Sequence, residues 1–337
     1  MIEDKKKSEI KFPSELRLDL VSRDWVVIAT GRARRPETFK LEKKEQKQDS
    51  QKECPFCNIE TQEKPRLIIS EGNDWSVIVI PNKYPAFLPH PHLDKEIAGG
   101  IYQKMNAVGF HEIVVTKDHN KHMGQFSVEQ VKEVLSVYQS RYLKLMKEKF
   151  VNHISIFHNH GHSAGASIAH PHSQIITTPL VDVDLENALS NSKLFSRKEK
   201  KCVYCRMNEW EIKVKERIVF ENNEFLAVCP FASKTAFQVI ISPKKHLSYF
   251  EKMAETEKEQ LAEAFHIVLG KISKGLNNPD YNFYLHTAPC DNKKHDYYHW
   301  HWTILPKTST WAGFEIGTRM EISTIEPEKA AEYLRKQ

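Results

Sequence analysis

The stretch "ASIAHPHSQII" (residues 166–176) decides how this chain is read. It sets His170 and His172 two apart, between small residues and an apolar run. On a strand, residues i and i+2 point to the same face, so the two imidazoles lie side by side. If a metal holds His170, the strand is pinned there and His172 is held with it. A nucleophilic imidazole needs a neutral ring with one nitrogen free to attack. Its other nitrogen must be hydrogen-bonded, to fix the tautomer. Just upstream, "GHSAGAS" (161–167) supplies hydroxyls and small residues that let a phosphate come close to the backbone. Gln174, two further along the same face, offers an amide, and negative charge developing on a phosphate requires such donors. The competing reading of His172 is a packed core histidine.

Working outward, a second His-x-His stands at His299 and His301. Two Cys-x-x-Cys pairs precede the two motifs, Cys54/Cys57 and Cys202/Cys205. After each pair come strand-like runs ending in a polar turn and a histidine: "HEIVVTKDH", ending at His119, and "FQVIISPKKH", ending at His246. Each is followed by a helical pattern. In "SVEQVKEVLSVYQSRYLKLM", apolar residues recur at Val128, Val131, Val134, Leu135, Tyr138, Tyr142 and Leu145, and Ser127 with Gln130 makes a capping box. The order in both halves is Cys-x-x-Cys, strands, His, helix, strand, His-x-His, strand. This predicts an α+β fold of two copies of one module, each an antiparallel sheet with a helix. The expected domains are 1–190 and 200–337, with the charge-rich "SNSKLFSRKEKK" (190–201) as a linker and "KLEKKEQKQDSQKE" (40–53) as a solvated loop.

Each half thus offers two thiols and two imidazoles at matching places: Cys54, Cys57, His119, His170 and Cys202, Cys205, His246, His299. Two cysteines and two histidines suit tetrahedral zinc. A Cys-x-x-Cys alone fits a redox pair as well; the repeated order, with histidines at corresponding positions, selects the metal. Four protein ligands leave no open position, so both zincs are expected to be structural.

Composition bounds the rest. The net charge of +5 is spread along 337 residues, which is weak evidence for nucleic acid and fits small anionic substrates equally well; no nucleic-acid partner is expected. No stretch approaches the roughly 18 apolar residues of a membrane span. The start, "MIEDKKKSEIKF", has no apolar core of a signal peptide, so a cytoplasmic chain is expected. Cys229 and Cys290 read as ordinary buried thiols.

At "HPHSQ" the chain resembles the galactose-1-phosphate uridylyltransferases, a branch of the histidine-triad (HIT) superfamily built from two HIT-like halves. The likeness covers nearly the whole chain. It includes "LDLVSRDWVVIATGRARRP", "CPFC", "NKYPA", "TKDH" and "AGFEI". The resemblance implies that His172 attacks the α-phosphate of a nucleotide sugar, releases a sugar 1-phosphate and keeps the nucleotide. A second sugar 1-phosphate, or phosphate, then takes it. It implies that Arg32, Arg35, Asn82 and Asn159 contact the nucleotide or its phosphates. Ser167 and Gln174 would hold the transferred phosphate, and Phe56 would pack on the base. Phe314 and Glu315 would touch the sugar phosphate from the partner subunit, which implies a homodimer. Read without the resemblance, the run around Glu315 alternates like an exposed strand.

Three departures from the family pattern keep a second activity open. The second cysteine pair is retained, and Ala166 and Phe314 stand where the classical enzymes carry a cysteine and a tyrosine. The retained pair and Ala166 are similar to ADP-glucose phosphorylases, which move AMP to inorganic phosphate; Phe314 departs from the galactose 1-phosphate pattern. Nucleotide-sugar hydrolysis is a third option within the superfamily, and a nucleotide-binding scaffold a fourth. In "HWHW" bulky tryptophans replace Pro171 and Ser173, so His301 is expected to be structural or a substrate contact rather than a second nucleophile.

Overall fold

A computed structural model describes residues 14–29, 39, 51–71 and 74–337. The first half comprises β1 (Glu15–Leu18), β2 (Trp25–Ile28), β3 (Leu67–Glu71), β4 (Asp74–Pro81), β5 (Lys95–Ala98), β6 (Tyr102–Met105) and β7 (His111–Thr116). Then come α1 (Val128–Leu145), β8 (His153–His160), β9 (His172–Thr178) and α2 (Val183–Glu199). The second half opens with α3 (Val203–Val214), β10 (Ile218–Glu221), β11 (Phe225–Val228), β12 (Val239–Pro243) and α4 (Glu255–Leu276). It closes with β13 (Tyr281–His286), β14 (His301–Pro306), α5 (Gly313–Thr318), β15 (Ile322–Ser323) and α6 (Pro327–Arg335).

Ten strands form one sheet in the order β10-β11-β12-β14-β13-β8-β9-β7-β4-β3. Every neighbouring pair is antiparallel. Each half contributes five strands, and both sets run first, second, third, fifth, fourth from the outer edge inward. They meet where β8 pairs with β13. The fold is therefore mixed α+β around a large antiparallel sheet. Two smaller sheets stand apart, the β5–β6 hairpin and β1-β2-β15.

One face of the large sheet is covered by α1 and α4. Ser127 caps α1 as its spacing predicts: its Oγ accepts the Gln130 N–H at 3.2 Å and Gln130 Oε1 accepts the Ser127 N–H at 3.0 Å. The predicted stripe from Val131 to Leu145 is buried. A single apolar cluster runs from Val131 and Tyr138 in the first half to Phe265, Phe283 and Trp302 in the second. Within it Arg141 donates to both Glu112 carboxylate oxygens, at 2.8 and 2.6 Å. The pairing matters because either charge buried alone would cost several kcal/mol.

Strand alternation sends the other residues to the helix-free face. On β9, Ile175 joins the helix-side core while His172 and Gln174 point away. On β8, Ile154 and Ile156 face the helices and Asn159 faces away. The Cys54–Cys57 loop packs on this second face, with Phe56 against Ile78, Ile80, Ile113 and Val115.

Two local expectations are corrected. The expected linker at 190–201 is helical as far as Glu199. Asp182 caps α2 by accepting the Leu185 N–H, and Leu185, Leu189 and Ser192 bury one stripe, which the surrounding charges obscure in the sequence. The run around Glu315 is a short helix, not a strand: Glu315 reaches back to accept the Ala312 N–H at 3.0 Å. Of the expected loop at 40–53, only 51–53 are described; they form an exposed turn. No described helix is long and apolar enough to cross a membrane.

Phe265 is fully buried, edge-on to Phe283 at 5.3–5.4 Å centroid distances shared with Trp302. Phe265→Ala should therefore cost about 3–5 kcal/mol of stability. Urea unfolding measures it; a loss under about 1 kcal/mol would contradict this packing.

Candidate functional site

The strand that begins at His172 joins a cysteine–histidine cluster to a buried imidazole. Cys54 and Cys57 sit on a tight turn in which Cys57 N–H and Asn58 N–H both donate to Cys54 O, at 3.1 and 3.2 Å. This turn directs both sulfurs toward His119 and His170. Cys57 Sγ lies 3.2 Å from His119 Nδ1 and 3.5 Å from His170 Nδ1. Cys54 Sγ is 3.6 Å from His170 Nδ1, and the two Nδ1 atoms are 3.2 Å apart. A tetrahedral ion with bonds of about 2.0–2.1 Å to nitrogen and about 2.3 Å to sulfur has edges of roughly 3.3–3.8 Å. The four donors are thus spaced as such an ion requires.

The protonation pattern agrees. His170 Nε2 lies 2.7 Å from Thr116 O, a group that can only accept. The proton is therefore on Nε2 and the Nδ1 lone pair points into the cluster, the outer-sphere arrangement typical of metal-bound histidine. Burial is the main cause that holds the His170 pKa down at about 4, so the ring is neutral.

The second cluster repeats the plan. Cys205 Sγ is 3.4 Å from His246 Nδ1 and 3.5 Å from His299 Nδ1, and Cys202 Sγ is 4.0 Å from His299 Nδ1. The outer nitrogens again donate to carbonyls: His246 Nε2 to Asp296 O at 2.7 Å and His299 Nε2 to Pro243 O at 2.9 Å. Cys202 caps the N-terminus of α3, where a thiolate is favoured. Both Cys2His2 groups can hold a metal ion, and among the described residues no other group of His, Cys, Asp and Glu is spaced to do so.

His172 is buried, with its Nδ1 2.9 Å from His170 O. A carbonyl accepts only, so Nδ1 carries the proton and Nε2 carries the lone pair. Burial pushes the His172 pKa below its ordinary value, against the smaller upward pull of the His170 carbonyl. The ring is therefore neutral, with one nitrogen ready to attack. Phe56, itself buried, holds its ring 5.0 Å from that of His172.

The structure brings Gln174 and Asn82 together through a residue that the sequence reading missed. His111 Nδ1 accepts the Ala86 N–H at 3.1 Å, so its proton is on Nε2 and is donated to Gln174 Oε1 at 2.7 Å. Asn82 Nδ2 lies 3.0 Å from the same Nε2 but, itself a donor, does not bond that N–H; Asn82 is held by its Oδ1, which accepts the Tyr84 N–H at 2.9 Å. Gln174 is thereby fixed with its oxygen occupied and its NH2 end available as a donor. The signal was present: a histidine opening the apolar strand "HEIVVT".

Asn159 stands one step on from the His158–Ser173 strand pair, and so beside His172. Behind the strand, Ser173 Oγ bonds Tyr138 Oη at 2.5 Å and lies 3.0 Å from His158 Nδ1, which braces the motif from the core side. Ser167 is exposed in the loop before His170. Phe314 and Glu315 lie on α5, which Arg319 ties to Asp184 of α2 at 2.7 Å. Phe314 is 49 % exposed, and neither residue has a described hydrogen bond or ring contact with His172. Arg32 and Arg35 lie outside the described residues.

His301 repeats part of the geometry of His172. Its Nδ1 is 3.2 Å from His299 O, and Tyr204, placed like Phe56 between the cysteines, is 5.0 Å away ring to ring. Here, however, His286 stacks on the imidazole at 4.6 Å, in the position across the strand pair that Asn159 holds beside His172.

The family model for the N-terminal domain of galactose-1-phosphate uridyl transferase matches residues 4–182, and a model for a domain of unknown function matches 101–337. The ADP-glucose phosphorylase of Arabidopsis thaliana is 32% identical over 96% of this chain and 92% of its own length. The galactose-1-phosphate uridylyltransferase of Thermotoga maritima is 28% identical over 96% and 98%. The crystal structure of an ADP-glucose phosphorylase from Arabidopsis thaliana with bound ADP-glucose superposes with a TM-score of 0.81 at 29% identity, covering 96% of this chain and 99% of that one.

The clusters carry a direct prediction. Purified protein should hold two metal equivalents by elemental analysis, and Cys54→Ala one, with a lower melting temperature, because site assembly contributes to folding. Equal metal content in the variant would contradict the first cluster.

Proposed function

Since the chain belongs to the galactose-1-phosphate uridylyltransferase family and is a nucleotidyltransferase, we propose that it moves a nucleoside monophosphate from a nucleotide sugar to a phosphate acceptor through a nucleotidyl-histidine on His172. The observation that carries this reading is the tautomer of His172. With Nδ1–H given to His170 O at 2.9 Å, Nε2 is the only nitrogen that can attack.

In the first step the Nε2 lone pair forms a bond to the α-phosphorus. The bond from that phosphorus to the bridging oxygen breaks, and the sugar 1-phosphate leaves with the electron pair. The ring becomes cationic, and the His170 carbonyl dipole, already aimed at Nδ1–H, stabilises that charge. In the second step an acceptor phosphate oxygen attacks the same phosphorus and the ring leaves neutral. Gln174, with its NH2 end free, and Ser167 hold the transferred phosphate. Asn82, Asn159, Arg32 and Arg35 hold the nucleotide and its phosphates, and Phe56 packs on the base edge nearest the imidazole.

The two Cys2His2 groups hold zinc in this reading. Zinc there would supply structural cross-linking: it would tie the Cys54–Cys57 turn and the start of α3 to the histidines that follow β7 and β12 and to the first histidine of each His-x-His. The repeated strand order reads as two HIT-like modules, divided at 1–190 and 200–337. Phe314 and Glu315, with no described hydrogen bond or ring contact to His172, serve the sugar phosphate of a partner subunit in a homodimer.

The first donor and acceptor in this reading are UDP-glucose and a hexose 1-phosphate such as galactose 1-phosphate. A second reading, AMP transfer from ADP-glucose to inorganic phosphate, is favoured by the full-length similarity to the Arabidopsis thaliana phosphorylase and by a complete second Cys2His2 group.

Intact-protein mass spectrometry after incubation with UDP-glucose or ADP-glucose, without acceptor, tests this. A uridylyl adduct absent from His172→Asn is expected, and an adenylyl adduct would select the second reading. Consumption of the nucleotide sugar without an adduct would point to hydrolysis. An adduct that persists in His172→Asn would sink the assignment of the nucleophile.

A further inference from the structure

Asn282 belongs to the second half, yet its side chain reaches the loop that precedes His170. It sits on β13 directly opposite Asn159 of β8. Asparagine is disfavoured inside strands, and two face each other at the centre of this sheet. Asn282 Nδ2 donates to Asn159 Oδ1 at 2.8 Å and to Ala164 O at 2.8 Å. Both of its N–H groups are therefore used, one on the amide of Asn159 and one on the loop backbone.

The consequence is polarity. An amide in a phosphate site can present either a carbonyl oxygen, which repels the anion, or an NH2 group, which binds it. With Oδ1 occupied by Asn282, Asn159 has its Nδ2 left to donate. That nitrogen faces Gly165: a Cβ added to Gly165 would lie 3.8 Å from it. Gly165 has φ +89, a left-handed conformation suited to glycine, and so the approach to the donor stays open.

The neighbouring residue Asp280 completes the hold. Its Oδ2 accepts the Ser163 N–H at 2.6 Å. Gly161, at φ +81, lets it in, since a Cβ there would fall 2.0 Å from Asp280 Oδ1. Two side chains of the second half thus hold adjacent residues, Ser163 and Ala164, of the small-residue turn 161–165.

We infer that Asn282 is a positioning residue of the first-half site: by occupying Asn159 Oδ1 it turns the Asn159 NH2 toward the nucleotide phosphate, while also pinning the loop at Ala164. This deepens the proposed function and rests on it. Asn282→Asp keeps the shape and reverses the logic. A carboxylate at 282 draws the Asn159 NH2 to itself and turns the Asn159 oxygen toward the phosphate.

The test is single-turnover nucleotidylation with UDP-glucose, and with ADP-glucose in parallel, followed by intact mass. Asn282→Asp should lower the rate constant about a hundredfold, the scale for losing a donor to developing charge. The concentration of nucleotide sugar at half-maximal rate should change little. Metal content and melting temperature are measured on the same samples, and Asn282→Ala replaces Asn282→Asp if the latter does not fold. The deciding arm is a double-mutant cycle with Asn159→Ala. Acting through Asn159, the change at Asn282 should lose at least tenfold of its cost in that background, what remains being the lost bond to Ala164 O. A full additive cost, or an Asn282→Asp rate equal to wild type, overturns the inference while leaving the nucleophile intact. Failure of wild type to form any adduct overturns the functional reading, and this inference with it.

Discussion

The 2.9 Å hydrogen bond from His172 Nδ1–H to the carbonyl of His170 is the contact on which the site depends. His170 acts at both ends. Its side chain presents Nδ1 to Cys54, Cys57 and His119, and its backbone carbonyl fixes the proton of the neighbouring imidazole. Two residues of spacing on a strand bring both jobs to one place. In the proposed mechanism a metal at the first cluster would act on His172 without touching it: by anchoring His170, it would anchor the carbonyl.

The sheet supplies the rest. Because β8 and β13 pair at its centre, the second half lies within reach of the first-half loop. The two halves carry the same strand order but have different neighbours beside their equivalent imidazoles. Asn159 stands beside His172, where the proposed mechanism uses a donor. His286 stacks on His301 at 4.6 Å and fills the corresponding place. An amide neighbours one imidazole and a stacked ring its counterpart.

Much of this was legible in the sequence. The apolar periodicity and capping box of α1 depend on local spacing alone, and both Cys2His2 groups could be assembled from matching order alone. The nature of α2 was hidden because its charged residues outnumber the three that it buries. The strand reading of the run around Glu315 failed since a capping contact spanning three residues looks, in one dimension, like alternation. His111 and Asn282 escaped notice for a different reason. Each acts by orienting the amide of another residue across a strand pair, and register between distant strands is not written in local pattern. Orientation of an amide end is a property of the assembled network.

The tautomer of His172 is the central claim, and long-range proton–nitrogen correlation spectroscopy on the metal-loaded protein reads it directly. At neutral pH the account predicts a protonated Nδ1 and a bare Nε2 for His172. A protonated Nε2 with a bare Nδ1 would leave no lone pair facing the substrate and would contradict the mechanism.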